Sequence, residues 1–302
     1  KTAYEIYQCD WSSDVCSSDL KLNGKKILQE KLDGTRVLTI VYPDGRVDQF
    51  SRNGKELLNF PLIKEQFAQF ASASSETMVF DGEVMSESFQ ALMTQLYRKS
   101  DVQTTDCILY VFDFIPLADF KKGYYASSQM ERLLRLKKSS VYLEENAPNI
   151  KVLDYITIDL DTEQDKFKEF NKTCIEAGKE GIMIKDPDAP YECKRSTAWL
   201  KLKPVITVDL EILDLEEGED KYVGKLGALV CKGSEDEKEI FVNVGSGLSD
   251  ELRELFWNNK YDVIGKIAEI QCDAITQNQN GTYSLRFPRF SRLRGFDFNE
   301  KL

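Results

Sequence analysis

The chain has 302 residues, 42% of them hydrophobic, which is enough for two ordinary domains with apolar cores. The sequence contains no histidine, and this excludes His-based catalytic triads, His general bases and His metal ligands. A net charge of −11 argues at face value against binding of nucleic acid, but a site depends on where the positive charges cluster, and they cluster most densely near the C-terminus.

Two further properties bear on the compartment. No apolar run approaches the roughly 18 residues of a membrane span, and no secretory signal opens the chain, so we expect neither membrane insertion nor secretion. The seven cysteines are an odd number and form no C-x-x-C pair. This pattern favours reduced thiols in a cytosol over a zinc site or a disulfide framework.

Residues 1–20 differ from the rest of the chain. The stretch from Asp10 to Leu20 has no hydrophobic period, and it matches the translation of a common sequencing adapter. We therefore interpret residues 1–20 as a non-native leader and leave them out of the fold prediction. A genuine disordered leader is the alternative.

From Lys21 onward the hydrophobic pattern is regular. Arg36–Val41, the turn Pro43-Asp44-Gly45 and Val47–Phe50 predict a β-hairpin. We expect the strand at Ile108–Ile115 to be buried on both faces. For the helix predicted at Glu163–Ala177, we expect Thr162 to be the N-cap and Gly178 to mark the end. The other predicted elements are helices at Pro61–Phe70, Phe89–Tyr97, Gln129–Lys138 and Glu163–Ala177, and strands at Ile27–Gln29, Met78–Met85, Gly181–Lys185 and Trp199–Lys203.

The dipeptide Lys203-Pro204 marks a predicted domain boundary, after which the sequence is almost wholly β in character. One helix, Glu251–Trp257 with Ser249 as its N-cap, interrupts the strands. The strands are predicted at Val208–Leu215, Gly227–Cys231, Ile240–Val244, Lys266–Ala274 and Ser284–Arg292. This content favours a small barrel of the OB type.

Charged motifs accompany several of these strands. Lys31-Leu-Asp33-Gly34 stands at the start of a β-branched run, where a lone K-x-D-G string would be a weak signal. It is joined by three more motifs, each beside an apolar run: Asp81-Gly82-Glu83, Glu180-Gly181 and Lys201-x-Lys203. A lysine accompanied by two carboxylate-bearing strand ends and two further lysines predicts a nucleophile with its phosphate site.

These motifs follow the order and spacing of a known family. They are Lys31-Leu-Asp-Gly, Ser51-Arg-Asn-Gly, Phe80-Asp-Gly-Glu, Val111-Phe-Asp, Glu180-Gly-Ile-Met-Ile-Lys, Trp199-Leu-Lys-Leu-Lys and Leu285-Arg-Phe-Pro-Arg-Phe-Ser-Arg-Leu-Arg. From Lys21 to Leu302 the chain resembles a small, bacteriophage-type ATP-dependent DNA ligase of the covalent nucleotidyltransferase superfamily.

The resemblance implies an α+β fold. Residues 21–204 would form a nucleotidyltransferase domain of ATP-grasp-like antiparallel sheets with helices, and residues 205–302 an OB-fold barrel. It also implies a cytoplasmic monomer with no membrane association that seals nicks in double-stranded DNA, using ATP, AMP held covalently on Lys31, and Mg²⁺.

Elementary chemistry agrees with this reading. A lysine amine attacks phosphorus only when neutral, and at an ordinary pKa of about 10.4 only about one lysine in a few thousand is neutral at pH 7. Arg36, Lys201 and Lys203 would disfavour the charge on Lys31 and hold the α-phosphate. Glu83 and Glu180 supply the hard oxygen ligands that suit Mg²⁺.

The resemblance implies roles for further residues of the nucleotide pocket. Phe112 would stack on adenine, although a core phenylalanine is the common case for such a strand. Gln29 would reach the adenine edge, Glu83 would face the ribose, Asp33 belongs to the lysine motif, and Lys185 would bind phosphate.

Arginines would bind the DNA. Arg52 and Arg195 fit bidentate capture of a nick 5′-phosphate. The run with Arg286, Arg289, Arg292 and Arg294 would form a mobile cationic face that meets pyrophosphate and then duplex phosphate, or else an ordinary basic strand. Asp297 follows in a Gly-Phe-Asp ending that departs from the family's usual Arg-x-Asp-x-Lys, and its role stays open.

Three alternatives remain at this point. An mRNA capping guanylyltransferase shares the lysine motif and an OB domain, and RNA ligases share the lysine motif. A non-catalytic nucleic-acid-binding OB module with a degenerate partner domain belongs to a different class, and the intact charged motifs argue against it.

Overall fold

A computed structural model describes residues 12–14, 22–86, 92, 96, 106–278 and 281–294. The chain divides into two compact units, Lys1–Leu202 and Lys203–Leu302. The predicted helix Phe89–Tyr97 falls almost entirely outside the described residues, as do Asp297 and all of the predicted leader except residues 12–14. Among the described residues, no helix has the length and apolar character needed to cross a membrane.

The first unit is built from strands and helices that alternate irregularly along the chain. Its described helices are α1 (Pro61–Phe70), α2 (Leu117–Lys122), α3 (Gln129–Asn146) and α4 (Gln164–Glu176). Its described strands are β1 (Ser12–Asp14), β2 (Lys25–Lys31), β3 (Thr35–Val41), β4 (Val47–Ser51), β5 (Met78–Met85), β6 (Ile108–Pro116), β7 (Tyr124–Tyr125), β8 (Ile150–Val152), β9 (Ile156–Asp159), β10 (Gly181–Lys185), β11 (Tyr191–Glu192) and β12 (Ser196–Leu202).

These strands form two five-stranded sheets and one short ribbon. The first sheet has the order β1-β12-β10-β2-β9, and the second sheet has the order β4-β3-β5-β6-β8. The ribbon pairs β11 with β7. Because β2 leads directly into β3, the Lys31 motif lies where the chain passes from one sheet to the other.

The β3–β4 hairpin is confirmed. Tyr42 N–H donates to Arg46 at 2.9 Å and Gly45 N–H donates to Tyr42 at 3.0 Å. Gly45 has φ +91°, a value that L side chains rarely adopt, so the Pro-Asp-Gly turn needs its glycine.

Two helices differ from prediction at their ends. Helix α3 runs eight residues past the predicted Lys138 to Asn146, and a capping box between Ser128 and Glu131 opens it. The prediction that Thr162 caps α4 is wrong, because the N-cap is Glu163 and no side chain caps it. The predicted stop is confirmed: Gly178 has φ +70°, and the next residue's N–H bonds back to Cys174 at 2.9 Å.

The expectation that β6 is buried on both faces is confirmed only in part. Alternate residues of this strand are buried, and those between them are half-buried. Tyr110 and Phe112 are among the half-buried residues. Leu109 and Val111 pack into one apolar cluster and Ile115 into another, because the β-bulge at Phe112 shifts the alternation, so both faces of the strand carry buried residues.

The second unit is a curled sheet with two helices. Its described elements are β13 (Ile206–Glu217), β14 (Leu226–Glu235), β15 (Lys238–Val244), β16 (Ile267–Cys272), β17 (Ala274–Gln277), β18 (Tyr283–Arg286) and β19 (Arg289–Leu293), with α5 (Asp250–Asn258) and α6 (Lys260–Val263). The strand order is β17-β18-β15-β14-β13-β16-β19. A bridge between Ser246 and Arg289, with Phe290 N–H donating to Ser246 at 2.8 Å, joins the β19 edge to the end of β15 and curls the sheet toward a barrel.

Local chemistry explains two features of this barrel. Ser249 caps α5 as predicted, accepting a bond from Leu252 N–H at 3.2 Å. Two predicted strands are each broken in two, one at Asp273 and one at the Phe287-Pro288 dipeptide. Phe287 has φ +52°, a conformation that ends a strand.

Candidate functional site

Lys31 ends strand β2 on the face of the first sheet that points away from α4. We call the space between this face and the Arg36–Glu83 pair of the second sheet the cleft. The Nζ of Lys31 forms an ion pair with Oε2 of Glu180, and the two side chains are 19% and 14% exposed. Its register partner on β10 is Gly181, which brings no side chain beside the lysine. The amine and its carboxylate partner thus share a half-buried position that a solute can reach.

The sheet places several predicted site residues on the face that carries Lys31. Register partners and alternate residues of a strand share a face of a sheet, and Met183 pairs with both Gln29 and Lys201. Met183 was missed as a site residue, although the alternation within Glu180-Gly-Ile-Met-Ile-Lys could have shown it. The opposite face, which carries Leu28, Ile182, Ile184 and Leu200, packs against Cys174 of α4.

The second sheet contributes Arg36 and Glu83, which are register partners on β3 and β5. The Arg36 guanidinium binds Asp81 bidentately, with Nε–Oδ1 at 2.8 Å and Nη2–Oδ2 at 2.5 Å. Burial lowers the pKa of Arg36, but the Asp81 carboxylate outweighs that and raises it above its usual value. Tyr191 donates its hydroxyl to the same Asp81 oxygen at 2.9 Å. Sequence analysis assigned no role to Asp81 or Tyr191.

Glu83 is a carboxylate of this site whose surroundings disfavour its charged form. Burial raises its pKa to about 7, and the cations Lys31 and Arg36 limit the rise. Asp81 and Glu180 act in the opposite sense and add to the rise. Lys31 and Glu180 therefore lie close enough to Glu83 for their charges to interact.

The carboxylates of this site fit a hard divalent cation. Among residues 12–14, 22–86, 106–278 and 281–294, no group of three Asp, Glu, Cys or His side chains could hold a metal alone. Mg²⁺ commonly takes one or two carboxylates and completes its shell with water and substrate phosphates. Glu83 and Glu180, both half-buried, suit that mode of binding.

Phe112 reaches the cleft through a β-bulge. The register between β5 and β6 steps from Asp81–Asp113 to Gly82–Val111, so Phe112 has no partner across the ladder. Its ring is half-buried and lies 5.7 Å from the Arg36 guanidinium carbon. The Phe112 ring therefore lies beside the charged cluster, and its other neighbours belong to an apolar cluster that includes Trp199.

Lys185 is placed differently from its predicted role. Its Nζ lies 4.8 Å from the centroid of the Phe112 ring and 3.9 Å from that of Trp199. Burial lowers its pKa to about 7. The residue is 2% exposed, so the predicted phosphate contact would require the ammonium to leave the rings.

Gln29 carries a buried acceptor that the described structure leaves unpaired. Its Nε2 donates to the Leu153 carbonyl at 3.3 Å, which fixes the amide orientation. Its Oε1 is buried, with no hydrogen-bond partner in the described part of the chain. Such an orphan acceptor on the cleft face suits a ligand N–H donor.

The remaining residues predicted for the first unit lie around this cleft or near its sheets. Asp33 is half-buried in the loop that links the two sheets, and Lys201 is half-buried on the Lys31 face. Arg52 is exposed in the turn after β4, and Arg195 is exposed just before β12. No described contact links either arginine to Lys31.

Lys203 begins the second unit, where its Nζ pairs with Asp273 at 3.3 Å. Arg289 Nη2 binds the same carboxylate at 2.9 Å. The Arg286 guanidinium lies 5.6 Å from the ring of Phe287, which is 61% exposed. The charged pairs here link the start of the unit to its last strands.

Arg292 and Arg294 are held by carboxylates of neighbouring strands. Arg292 binds Glu269 with Nε at 3.2 Å and Nη2 at 3.1 Å. Arg294 Nη2 binds Glu269 at 2.6 Å, and its Nε binds Asp209 at 2.9 Å. Both guanidinium groups are thus engaged within the second unit.

Comparison with known families decides the assignment. A family model described as ATP dependent DNA ligase domain matches residues 13–203, and one described as DNA ligase OB-like domain matches residues 217–294. The chain belongs to the ATP-dependent DNA ligase family. The predicted pairing of a nucleotidyltransferase domain with an OB-fold domain is thereby confirmed.

Curated and solved relatives agree with membership of the ligase family. A DNA ligase of Haloferax volcanii is 28% identical over 90% of this chain and 50% of its own length. The solved structure Pmar-Lig_PreS3 is 42% identical, covers 96% of this chain with 68% of its own, and superposes with a TM-score of 0.91. The chain spans about half the length of the curated relatives it matches.

A bacteriophage T7 enzyme shares the fold of this ligase-family chain. The structure of an ATP-dependent DNA ligase from that phage in complex with ATP is 18% identical and superposes with a TM-score of 0.58. It covers 96% of this chain and 99% of its own. At this identity the likeness supports the common fold alone.

Proposed function

We propose that this chain catalyses ATP-dependent sealing of nicks in double-stranded DNA through an AMP group carried on Lys31. The observation that carries the proposal is the Lys31–Glu180 ion pair in a cleft shared with Glu83 and Arg36. A half-buried amine among carboxylates and an arginine suits nucleotidyl transfer, in which positioning and electrostatics dominate.

The reaction would proceed in three displacements at phosphorus. Lys31 loses its proton, its Nζ attacks the α-phosphorus of ATP, and a P–N bond forms as the P–O bond to pyrophosphate breaks. The 5′-phosphate of the nick then attacks the same phosphorus and frees the lysine. Finally the 3′-hydroxyl attacks the 5′-phosphorus, a phosphodiester bond forms, and AMP leaves.

Residues on the Lys31 face would hold the phosphates. Lys201 shares that face with Lys31, and Lys203 would act from the second unit once released from Asp273. Glu83 and Glu180 would hold Mg²⁺, which when bound would neutralise phosphate charge. Asp33 would stay beside the lysine as part of its motif.

Gln29 supports adenine as the base. Its free Oε1 can accept a hydrogen bond from the adenine N6 amino group, whereas guanine offers the acceptor O6 at the corresponding edge. Phe112 would stack on the base, and Met183 lies on the cleft face beside Gln29. This pairing of acceptor with donor favours ATP over GTP, and so a ligase over a capping guanylyltransferase.

Exposed arginines support DNA as the second substrate. Arg52 and Arg195 can each present a planar guanidinium to a 5′-phosphate. The C-terminal arginines would first meet pyrophosphate and then duplex phosphate. We propose that the protein acts as a monomer in the cytoplasm.

The direct test offers α-labelled ATP, GTP and NAD to the protein and then adds nicked duplex. We expect labelling by ATP, loss of the label on addition of the nick, and a sealed strand. Lys31→Ala should abolish labelling, whereas Lys25→Ala, an exposed lysine on the same strand, should preserve it.

Three outcomes would reject the proposal. Labelling by GTP alone would indicate capping, and sealing of RNA but not DNA would indicate an RNA ligase. A folded protein that is not labelled by any nucleotide would indicate a binding module.

A further inference from the structure

Lys185 is a buried cation held by aromatic rings. It ends strand β10 opposite Trp199 of β12, with its ammonium 3.9 Å from the Trp199 ring centroid and 4.8 Å from that of Phe112. Buried lysines are rare unless something compensates the charge. The faces of two aromatic rings are such a compensation.

The neighbouring carboxylates are already neutralised by other cations. Asp113 forms a buried pair with Arg132, with Nε–Oδ1 at 2.7 Å and Nη2–Oδ2 at 3.0 Å. Asp81 is bound bidentately by Arg36. In the described part of the chain, Lys185 forms no ion pair with either carboxylate, and the two rings lie 3.9 and 4.8 Å from its ammonium.

The Phe112 ring needs such support because of where it sits. As the extra residue of a bulge, Phe112 has no register partner to set its direction. Its ring is met edge-on by Trp199, at a centroid distance of 5.9 Å and an interplanar angle of 75°, and by the Lys185 ammonium. The Arg36 guanidinium carbon lies farther from the ring, at 5.7 Å, and the ring also packs against the apolar cluster that contains Leu38 and Ile40. Among these contacts, the Lys185 ammonium is the nearer cation on the ring that the proposed function assigns to the base.

We propose that Lys185 is a positioning residue whose ammonium holds the Phe112 ring in the orientation that stacks on the base of the nucleotide. It acts on the base through Phe112 and makes no contact with the phosphates. This inference rests on the proposed function, and it replaces the phosphate role expected from the sequence.

The charge of Lys185 gives the proposal a second signature. Burial lowers its pKa to about 7, Asp113 and Asp81 oppose that effect, and Arg132 and Arg36 add to it. The ammonium is present below pH 7 and is lost above it. Affinity for the base should therefore fall as the pH rises through 7, and it should not fall when arginine, which stays charged, replaces the lysine.

The experiment measures dissociation constants for adenosine, which has no phosphate, and for ATP by ligand-observed NMR. Lys185→Met should weaken both ligands equally, by about 5- to 30-fold, the range of a desolvated cation–π contact. Lys201→Met is the matched control, a lysine on the same sheet face that should weaken ATP and leave adenosine unchanged. Lys185→Arg should stay close to the wild type at pH 6 and lose the decline with pH.

Two further measurements keep the proposal open to rejection. Lys185→Met should cause no additional loss of adenosine affinity in a Phe112→Leu background. If Lys185→Met weakens ATP but leaves adenosine unchanged, the residue is a phosphate ligand and the proposal fails. Failure of the proposed function itself shows separately, as absence of labelling of the wild-type protein by α-labelled ATP.

Discussion

The Tyr191 hydroxyl donates a hydrogen bond of 2.9 Å to Asp81, which lies 110 positions earlier in the sequence. The same carboxylate accepts hydrogen bonds from Nε and Nη2 of Arg36. The tyrosine ring is fully buried and meets Trp199 edge-on. A strand of two residues, β11, thus fixes the carboxylate that orients a cation of the proposed catalytic cleft.

Replacing Tyr191 by phenylalanine should destabilise the protein by about 1.5–3 kcal/mol, the contribution of a hydrogen bond to a charged group. The ring packing would remain and only the hydroxyl would be lost. Urea unfolding measures the change, with Tyr125→Phe as the control, since that hydroxyl meets Arg135 on the exposed surface. A loss equal to that of Tyr125→Phe would show that Asp81 does not need this donor.

Replacing Arg132 by leucine should destabilise the first unit by about 3–5 kcal/mol, because Asp113 would be left as an uncompensated buried charge. Both side chains of this pair are 0% exposed. Arg135→Leu, three residues further along α3 and exposed, should have little effect. The paired replacement Arg132→Leu with Asp113→Leu should recover part of the loss, and a double variant as unstable as the single one would contradict this account.

Glu83 should make stability fall as the pH rises toward 8. Its folded-state pKa of about 7 lies above its ordinary 4.5, so its contribution is fully present below pH 4.5 and is lost as the pH rises through 7. Glu83→Gln should flatten that decline, whereas the exposed Glu76→Gln should leave it unchanged. Thermal unfolding between pH 5 and 8, without nucleotide or metal, measures the two slopes. Parallel slopes for wild type and Glu83→Gln would refute the assignment.

Binding of nicked duplex should weaken steeply with salt despite the acidic net charge. Each neutralised phosphate contributes about −0.9 to the slope of log affinity against log salt. Arg52→Ala should reduce that slope by about one contact, whereas Arg46→Ala, an exposed arginine in the neighbouring hairpin turn, should not. Fluorescence anisotropy between 50 and 200 mM salt, a range over which about six contacts would cost ~10³-fold, measures both. A slope near zero would exclude the proposed DNA contacts.

Replacing Arg292 and Arg294 by alanine should depress loading of AMP onto Lys31 far more than sealing of a pre-adenylylated nick at low salt. Only the first step has a pyrophosphate to stabilise. In the described second unit both guanidinium groups are engaged by Glu269, so loading must break these pairs. Equal loss of both steps would assign the arginines to DNA contact or folding.

Sequence reasoning succeeded where local chemistry decides the structure. The hairpin turn at Gly45, the helix stop at Gly178 and the cap at Ser249 each follow from a residue whose conformation or side chain fits one role. The motifs shared with the ligase family also assigned Lys31 and Glu180 to one site, and the two side chains form an ion pair in the structure.

Other contacts between residues far apart in the sequence could not be predicted from the sequence. The pair of Asp113 with Arg132 joins a strand to a helix, and nothing in the spacing of the two residues indicates it. Strands of two residues, such as β7 and β11, are too short to show a period. The bulge at Phe112 arises from the register between β5 and β6. That register depends on how the two strands pair, and the pattern of residues within either strand does not reveal it.

Lys31 belongs to the first sheet, and Glu180 directly precedes its strand β10, whereas Arg36 and Glu83 belong to the second sheet. The apolar cluster of Leu38, Ile40, Phe120, Tyr191 and Trp199 joins the two sheets. The rigidity of the proposed catalytic site therefore depends on this apolar cluster, which forms the seam between the sheets. A small slip along that seam would separate the charges while each sheet kept its own hydrogen bonds. On heating, nucleotide loading should fail several degrees before the circular dichroism of the strands changes, and substitutions that tighten the seam should raise the temperature of inactivation without touching a reacting group.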